Sequence, residues 1–135
     1  MRVLDSSVGF KLLVPETGTE NALRLRGEDL IAPDVYPIEI AHALGKAGRA
    51  GRLPVADTMD LLSEALETLP VLHPALPLLP RAYEIASAAR IGVYDCLYVA
   101  LAEREHCELV TADQKLISNL EKDFPFIVSL HSIQL

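Results

Sequence analysis

The chain has 135 residues, half of them hydrophobic, with 19 Asp and Glu against 12 Lys and Arg for a formal net charge of −7. This length suits one domain, residues 1–135, whose core needs no disulfide or structural metal; the apolar content excludes disorder, and the acidic balance excludes nucleic-acid binding by a global positive field. Cys96 and Cys107 lack any metal-ligand spacing and read as reduced packing residues of a cytoplasmic protein.

RVLD, Arg2 to Asp5, predicts a short buried strand, and SSVGFKLLV, Ser6 to Val14, the helix after it, ended by Pro15. TENALRLRG, Thr19 to Gly27, carries Leu23 and arginines at helical spacing before a terminal glycine and predicts a second helix. DLIAP follows as a second strand. From Pro37, the residues Ile38, Ala41, Leu44 and Ala47 recur at helical spacing, with proline in the first turn where its missing N–H costs little. That helix is expected to run out in GKAGRAGRLP, read as a glycine-rich loop.

Leu61, Leu62, Ala65, Leu66 and Leu69 form one face of a helix over about Val55 to Leu69, and VLH, Val71 to His73, predicts a third strand. After PALPLLP, the stretch RAYEIASAARIG reads as a helix closed by Gly92. A helix from about Val93, a strand at Glu108 to Thr111, a helix at Gln114 to Lys122 and a strand at Phe126 to Leu130 complete the chain. Strands with continuous apolar runs, separated by helices, imply a mainly parallel sheet covered on both faces, a three-layer α/β/α domain. No run reaches the roughly 18 apolar residues of a membrane span, and the first residues have no signal-peptide layout, so a soluble protein is expected.

In such a sheet, ligands sit beyond the carboxyl ends of the strands. Asp5 ends the first strand, Asp113 lies just past the strand over Glu108 to Thr111, and Glu39 and Asp95 occupy the first turns of their helices. All four are expected at one edge. Helix N-termini favour negative charge by about 0.3–1 kcal/mol each. Two carboxylates about 4 Å apart repel by roughly 4 kcal/mol at an effective dielectric near 20, so convergence calls for a hard divalent cation. Capping is the competing explanation, since acids are common at helix starts, and Asp113 could cap the helix from Gln114.

VLDSSVGFKLLVPE, YPIEIAHAL, YDCLYVALAERE and LVTADQKL, in this order from near residue 2 to near residue 120, resemble the successive motifs of the PIN-domain ribonucleases, most closely the toxin subunits of VapBC toxin–antitoxin modules. The resemblance implies a PIN-like fold and an endoribonuclease that hydrolyses RNA phosphodiester bonds. It makes Asp5, Glu39, Asp95 and Asp113 the catalytic site that binds Mg²⁺ or Mn²⁺, with Ser7 and Thr111 positioning a water or an acid. The competing readings are a Ser7 that caps the first helix and a Thr111 that merely ends a strand. Lys11, Lys46, Arg49 and Arg52 are candidates for RNA phosphate contacts, and His42, one turn after Glu39, for a place near the site. The resemblance further implies a cognate antitoxin as partner and a homodimer, with Phe10, Leu13 and Leu61 to Leu69 available to form a groove.

Rival readings lack their residues. A phosphatase that begins with a strand ending in Asp needs a second acid two residues on, where Ser7 stands; a phosphoreceiver needs an Asp after the third strand, where VLHPAL offers His73. No phosphate-binding glycine loop is present. The alternative from another class is a catalytically silent PIN-fold module that binds RNA or protein.

Overall fold

Five short runs, β1 (Arg2–Leu4), β2 (Leu30–Pro33), β3 (Val71–His73), β4 (Glu108–Thr111) and β5 (Ile127–Ser129), pair into one sheet in the order β3-β2-β1-β4-β5. A computed structural model describes residues 1–133, so the last two residues of the expected 1–135 domain lie outside the described residues. Every pairing is parallel. In the central strand β1, Val3 is 0% and Leu4 2% exposed, as befits a strand covered on both faces.

The chain leaves β1 for β2 and β3 on one side, then returns to β4 and β5 on the other. Right-handed crossovers place α1 (Ser6–Leu13), α2 (Thr19–Leu23), α3 (Tyr36–Arg49) and α4 (Val55–Glu67) on one face. They place α5 (Leu79–Ala89), α6 (Val93–Glu105) and α7 (Gln114–Leu120) on the other, completing the three-layer arrangement expected from the sequence. The direction reverses between β1 and β4, and a binding crevice belongs at the carboxyl edge there.

α6 is the central core helix. Cys96 through Ala102 are all buried, so it has no solvent face along that stretch, as expected of a helix apolar all round. It packs on β1, β2 and β4 and against α5. No single helix among the described residues is long and apolar enough to cross a membrane.

Several boundaries differ from the sequence expectation. GKAGR is helical, because α3 continues to Arg49 with Ala47 buried and Gly48 facing α4, where a Cβ would meet Thr58 at 3.5 Å and Val55 at 3.8 Å. Packing against α4 thus overrides the poor helix propensity of glycine. α2 stops at Leu23 and the chain turns on to Gly27, whose φ of 86° is left-handed. α5 is closed by Arg90, at φ 57°, while Gly92 is extended and starts α6.

Gly9 in α1 is required by a close approach. A Cβ there would stand 2.0 Å from the hydroxyl oxygen of Tyr36 and 2.8 Å from its Cζ. In an unconstrained helix, Gly→Ala stabilises by about 1 kcal/mol. Here Gly9→Ala should instead destabilise by about 1–3 kcal/mol through overpacking, as read by urea unfolding. Adding Tyr36→Phe should recover only part of the loss, because Cζ remains too close; a Gly9→Ala protein more stable than wild type would contradict this packing.

Candidate active site

Asp5 stands where β1 ends and α1 begins, and its backbone N–H continues the β1–β4 ladder by donating to the carbonyl of Val110 at 3.1 Å. It is the N-cap residue of α1, yet its side chain makes no capping bond. Instead its Oδ2 accepts from the hydroxyl of Ser7 and from that of Thr111, the latter at 2.8 Å. Each hydroxyl also accepts a backbone N–H: Ser7 from Ala112 at 3.1 Å and Thr111 from Asp113 at 3.0 Å. These bonds tie the end of β1 to the end of β4. Asp5 is only 4% exposed, and burial pushes its carboxyl above the ordinary range while the two hydroxyls pull it back.

Glu39 comes from the first turn of α3 and is half-buried. Its Oε1 accepts from the hydroxyl of Tyr98 in α6 at 2.6 Å, the length of a hydrogen bond to a charged oxygen. Burial raises its carboxyl, the Tyr98 bond opposes the rise, and the Asp5 charge adds to it. Asp95 lies in the first turn of α6, behind the N-cap residue Gly92, and its carboxyl is pushed up to about 6. Burial is the largest cause, followed by the charges of Asp5, Asp113 and Glu39. All three other acids therefore act on Asp95.

Asp113 does cap its helix. Its Oδ1 accepts from the backbone N–H groups of Lys115 at 2.9 Å and Leu116 at 3.2 Å, which open α7. Its charge still reaches Asp5 and Asp95.

The expected basic residues are not gathered at this crevice. Lys11 is turned to Glu16 and to the carbonyl of Thr17, at 3.0 and 2.6 Å, which removes it as a free phosphate contact. Lys46 and Arg49 are exposed on α3 instead of in a loop. At 1.5 Å rise per residue they lie about 10 and 15 Å along the helix from Glu39. Arg52 is exposed beyond the helix end, and His42 is exposed on α3. A cleft of about 590 Å³ is lined by none of the four acids: Leu12 and Leu13 of α1, Ala65 of α4, Leu69 and Val71 help line it.

Among the described residues, none of the four acids forms an ion pair. Nor do any three Asp, Glu, His or Cys side chains already stand in ligating position. The donor set nonetheless fits a hard divalent cation: it is all oxygen and carries uncompensated negative charge. Mg²⁺ keeps several waters and needs only one or two carboxylates, so a closed protein cage is not required.

The PIN-domain profile matches residues 2–122. The chain belongs to the PIN-domain family. Over 131 residues it is 33% identical to Ribonuclease VapC3 of Pyrobaculum aerophilum, covering 94% of this chain and 97% of that protein, which places it with the VapC group. The crystal structure of PAE2754 from Pyrobaculum aerophilum matches with a TM-score of 0.73 at 24% identity, over 97% of this chain and 91% of that one. A toxin–antitoxin complex from Klebsiella pneumoniae matches with a TM-score of 0.66 at 13% identity, over 96% of this chain and 98% of that one. At these identities the two structures speak for the fold alone.

In this PIN domain, the residue that reading the sequence passes over is Tyr98. Its signal is spacing: three residues after Asp95, it shares that face of α6.

The raised Asp95 carboxyl makes stability depend on pH when no metal is bound. An acid with a raised folded pKa holds its proton more tightly in the folded state, so its contribution is full below its unfolded value near 3.8 and is lost as pH climbs through about 6. In EDTA, wild type should therefore lose Tm relative to Asp95→Asn as pH rises across this window. A difference between the two proteins that stays constant with pH would show that Asp95 is not held in the company of the other acids.

Proposed function

We propose that this chain is a Mg²⁺- or Mn²⁺-dependent endoribonuclease that hydrolyses RNA phosphodiester bonds, and the toxin of a toxin–antitoxin pair. The observation that carries the reading is Asp95: its carboxyl is half-buried and under the influence of three other acid charges, with no ion pair to relieve it. Such a cluster stores repulsion that a divalent cation would relieve. The names of the relatives, a ribonuclease and a toxin–antitoxin complex, support the same reading.

Asp5, Glu39 and Asp95 would hold the metal, with Asp113 contributing from its second oxygen while its first caps α7. A bound divalent cation supplies Lewis acidity and an activated water at neutral pH. The protein's part is to fix the carboxylates. Ser7 and Thr111 orient Asp5 through Oδ2. Phosphate contacts from Lys46, Arg49 and Arg52 would fall on RNA away from the scissile bond, given their place toward the far end of α3. The antitoxin would occupy the cleft beside Leu13 and Leu69, which answers in part to the expected groove. A homodimer and a cytoplasmic location complete the proposal.

A catalytically silent binding module is the second reading, favoured by the lack of a preformed ligand set among the described residues. Assays of RNA cleavage by antitoxin-free protein, in Mg²⁺, Mn²⁺ and EDTA, separate the two. Changes to outer-shell partners of a metal cost about 10–100-fold. Asp5→Asn, Glu39→Gln and Asp95→Asn should each lose at least that much while keeping the wild-type circular dichroism. Near-full activity in Asp95→Asn would remove the site assignment, absent cleavage would favour the silent module, and cleavage undiminished in EDTA would overturn the metal dependence. Co-expression with the neighbouring reading frame should yield a complex, and light scattering of the toxin alone should give twice the chain mass; no captured protein, or a monomer, would count against the corresponding partner.

A further inference from the structure

Glu39 reaches the crevice on a long side chain from α3, whereas Asp5 is short, buried and clamped. A carboxylate on three rotatable bonds needs something to fix it. The hydroxyl of Tyr98 donates to Glu39 at 2.6 Å, and it acts on that carboxyl more strongly than the neighbouring hydroxyl of Ser6. Tyr98 is 0% exposed and lies within the fully buried stretch of α6, so it is an anchor with little freedom. The same face of the same helix carries Asp95 one turn earlier. One rigid element thus supplies one acid directly and grips a second.

Packing alone does not call for a tyrosine here. A phenol hydroxyl is costly to bury unless bonded, and phenylalanine would fill the same space. The hydroxyl finds its acceptor in one oxygen of an acid at the crevice. The pattern repeats what Ser7 and Thr111 do at Asp5, where both hydroxyls hold Oδ2. Building on the metal-dependent reading above, we infer that Tyr98 is a positioning residue of the acidic site: its hydroxyl fixes Oε1 of Glu39 and so orients that carboxylate toward the divalent cation.

The test is Mn²⁺ binding without RNA, followed by electron paramagnetic resonance, in wild type, Tyr98→Phe, Glu39→Gln and the double variant. Tyr98→Phe should weaken Mn²⁺ affinity by about 10-fold, the lower end for second-shell changes. It should also raise the Mn²⁺ concentration for half-maximal RNA cleavage, so that the activity loss at limiting metal exceeds that at saturating metal. In the Glu39→Gln background Tyr98→Phe should have little further effect, because the two residues act through one bond. Unchanged Mn²⁺ affinity in Tyr98→Phe would overturn the inference, as would an equal loss with and without Glu39. Should Tyr98→Phe fail to fold, Glu39→Asp gives the test from the other end, since it keeps the charge, spares the core and shortens the reach to Tyr98; wild-type affinity there would be equally fatal. Wild type that binds no Mn²⁺ would overturn the metal reading itself, and this inference with it.

Discussion

A carboxylate at 4% exposure, as Asp5 is, must be met by donors where it sits, and much of the site's architecture follows from meeting that need. The donors are hydroxyls from two different places in the chain, Ser7 in the first turn of α1 and Thr111 at the end of β4. Their placement depends on strand pairing. Leu4 is paired with Val110, which sets Thr111 at the level of Asp5. Slipping that register by one residue would turn Thr111 to the other face of the sheet. The parallel pairing of β1 with β4 is therefore as much a part of the site as the acids, and the reversal of strand order at that pair is what opens a crevice above it.

The other three acids arrive by a shared device, the start of a helix at the carboxyl edge. Glu39 and Asp95 lie in first turns and Asp113 is an N-cap residue. Helix dipoles contribute about 0.3–1 kcal/mol apiece, which eases the crowding of negative charge without removing it. The raised carboxyls of Asp5, Glu39 and Asp95 are the residue of that crowding and of burial. Sites of this kind trade folding stability for readiness to bind.

Much of this is legible in the sequence, for reasons that differ by residue. β1 and β4 are readable because they are apolar runs bounded by acids, and Asp5 because it follows such a run directly. Asp113 is legible in position but ambiguous in role, and the structure shows it capping α7 while its charge acts on Asp5 and Asp95. What escapes a linear reading depends on contacts that the periodicity of a single element does not encode. The helical course of GKAGR depends on α4, the engagement of Lys11 on the turn at Glu16 and Thr17, and the meaning of Tyr98 on a glutamate 59 positions earlier. The closure of α5 by Arg90 is hidden for another reason: glycine is the usual left-handed residue, and Gly92 stands nearby as a plausible substitute.

The burial of α6 sets how the site can move. With Cys96 through Ala102 enclosed, the amides of this segment are reached by solvent only when the whole domain opens, so their hydrogen exchange should report global unfolding. Asp95 and Tyr98 then behave as a fixed wall on slow timescales. With Glu39 held to that wall by the Tyr98 hydroxyl, a rearrangement that brings the carboxylates closer falls to the short α7 carrying Asp113. The crevice is thereby divided into a stationary half and an adjustable half.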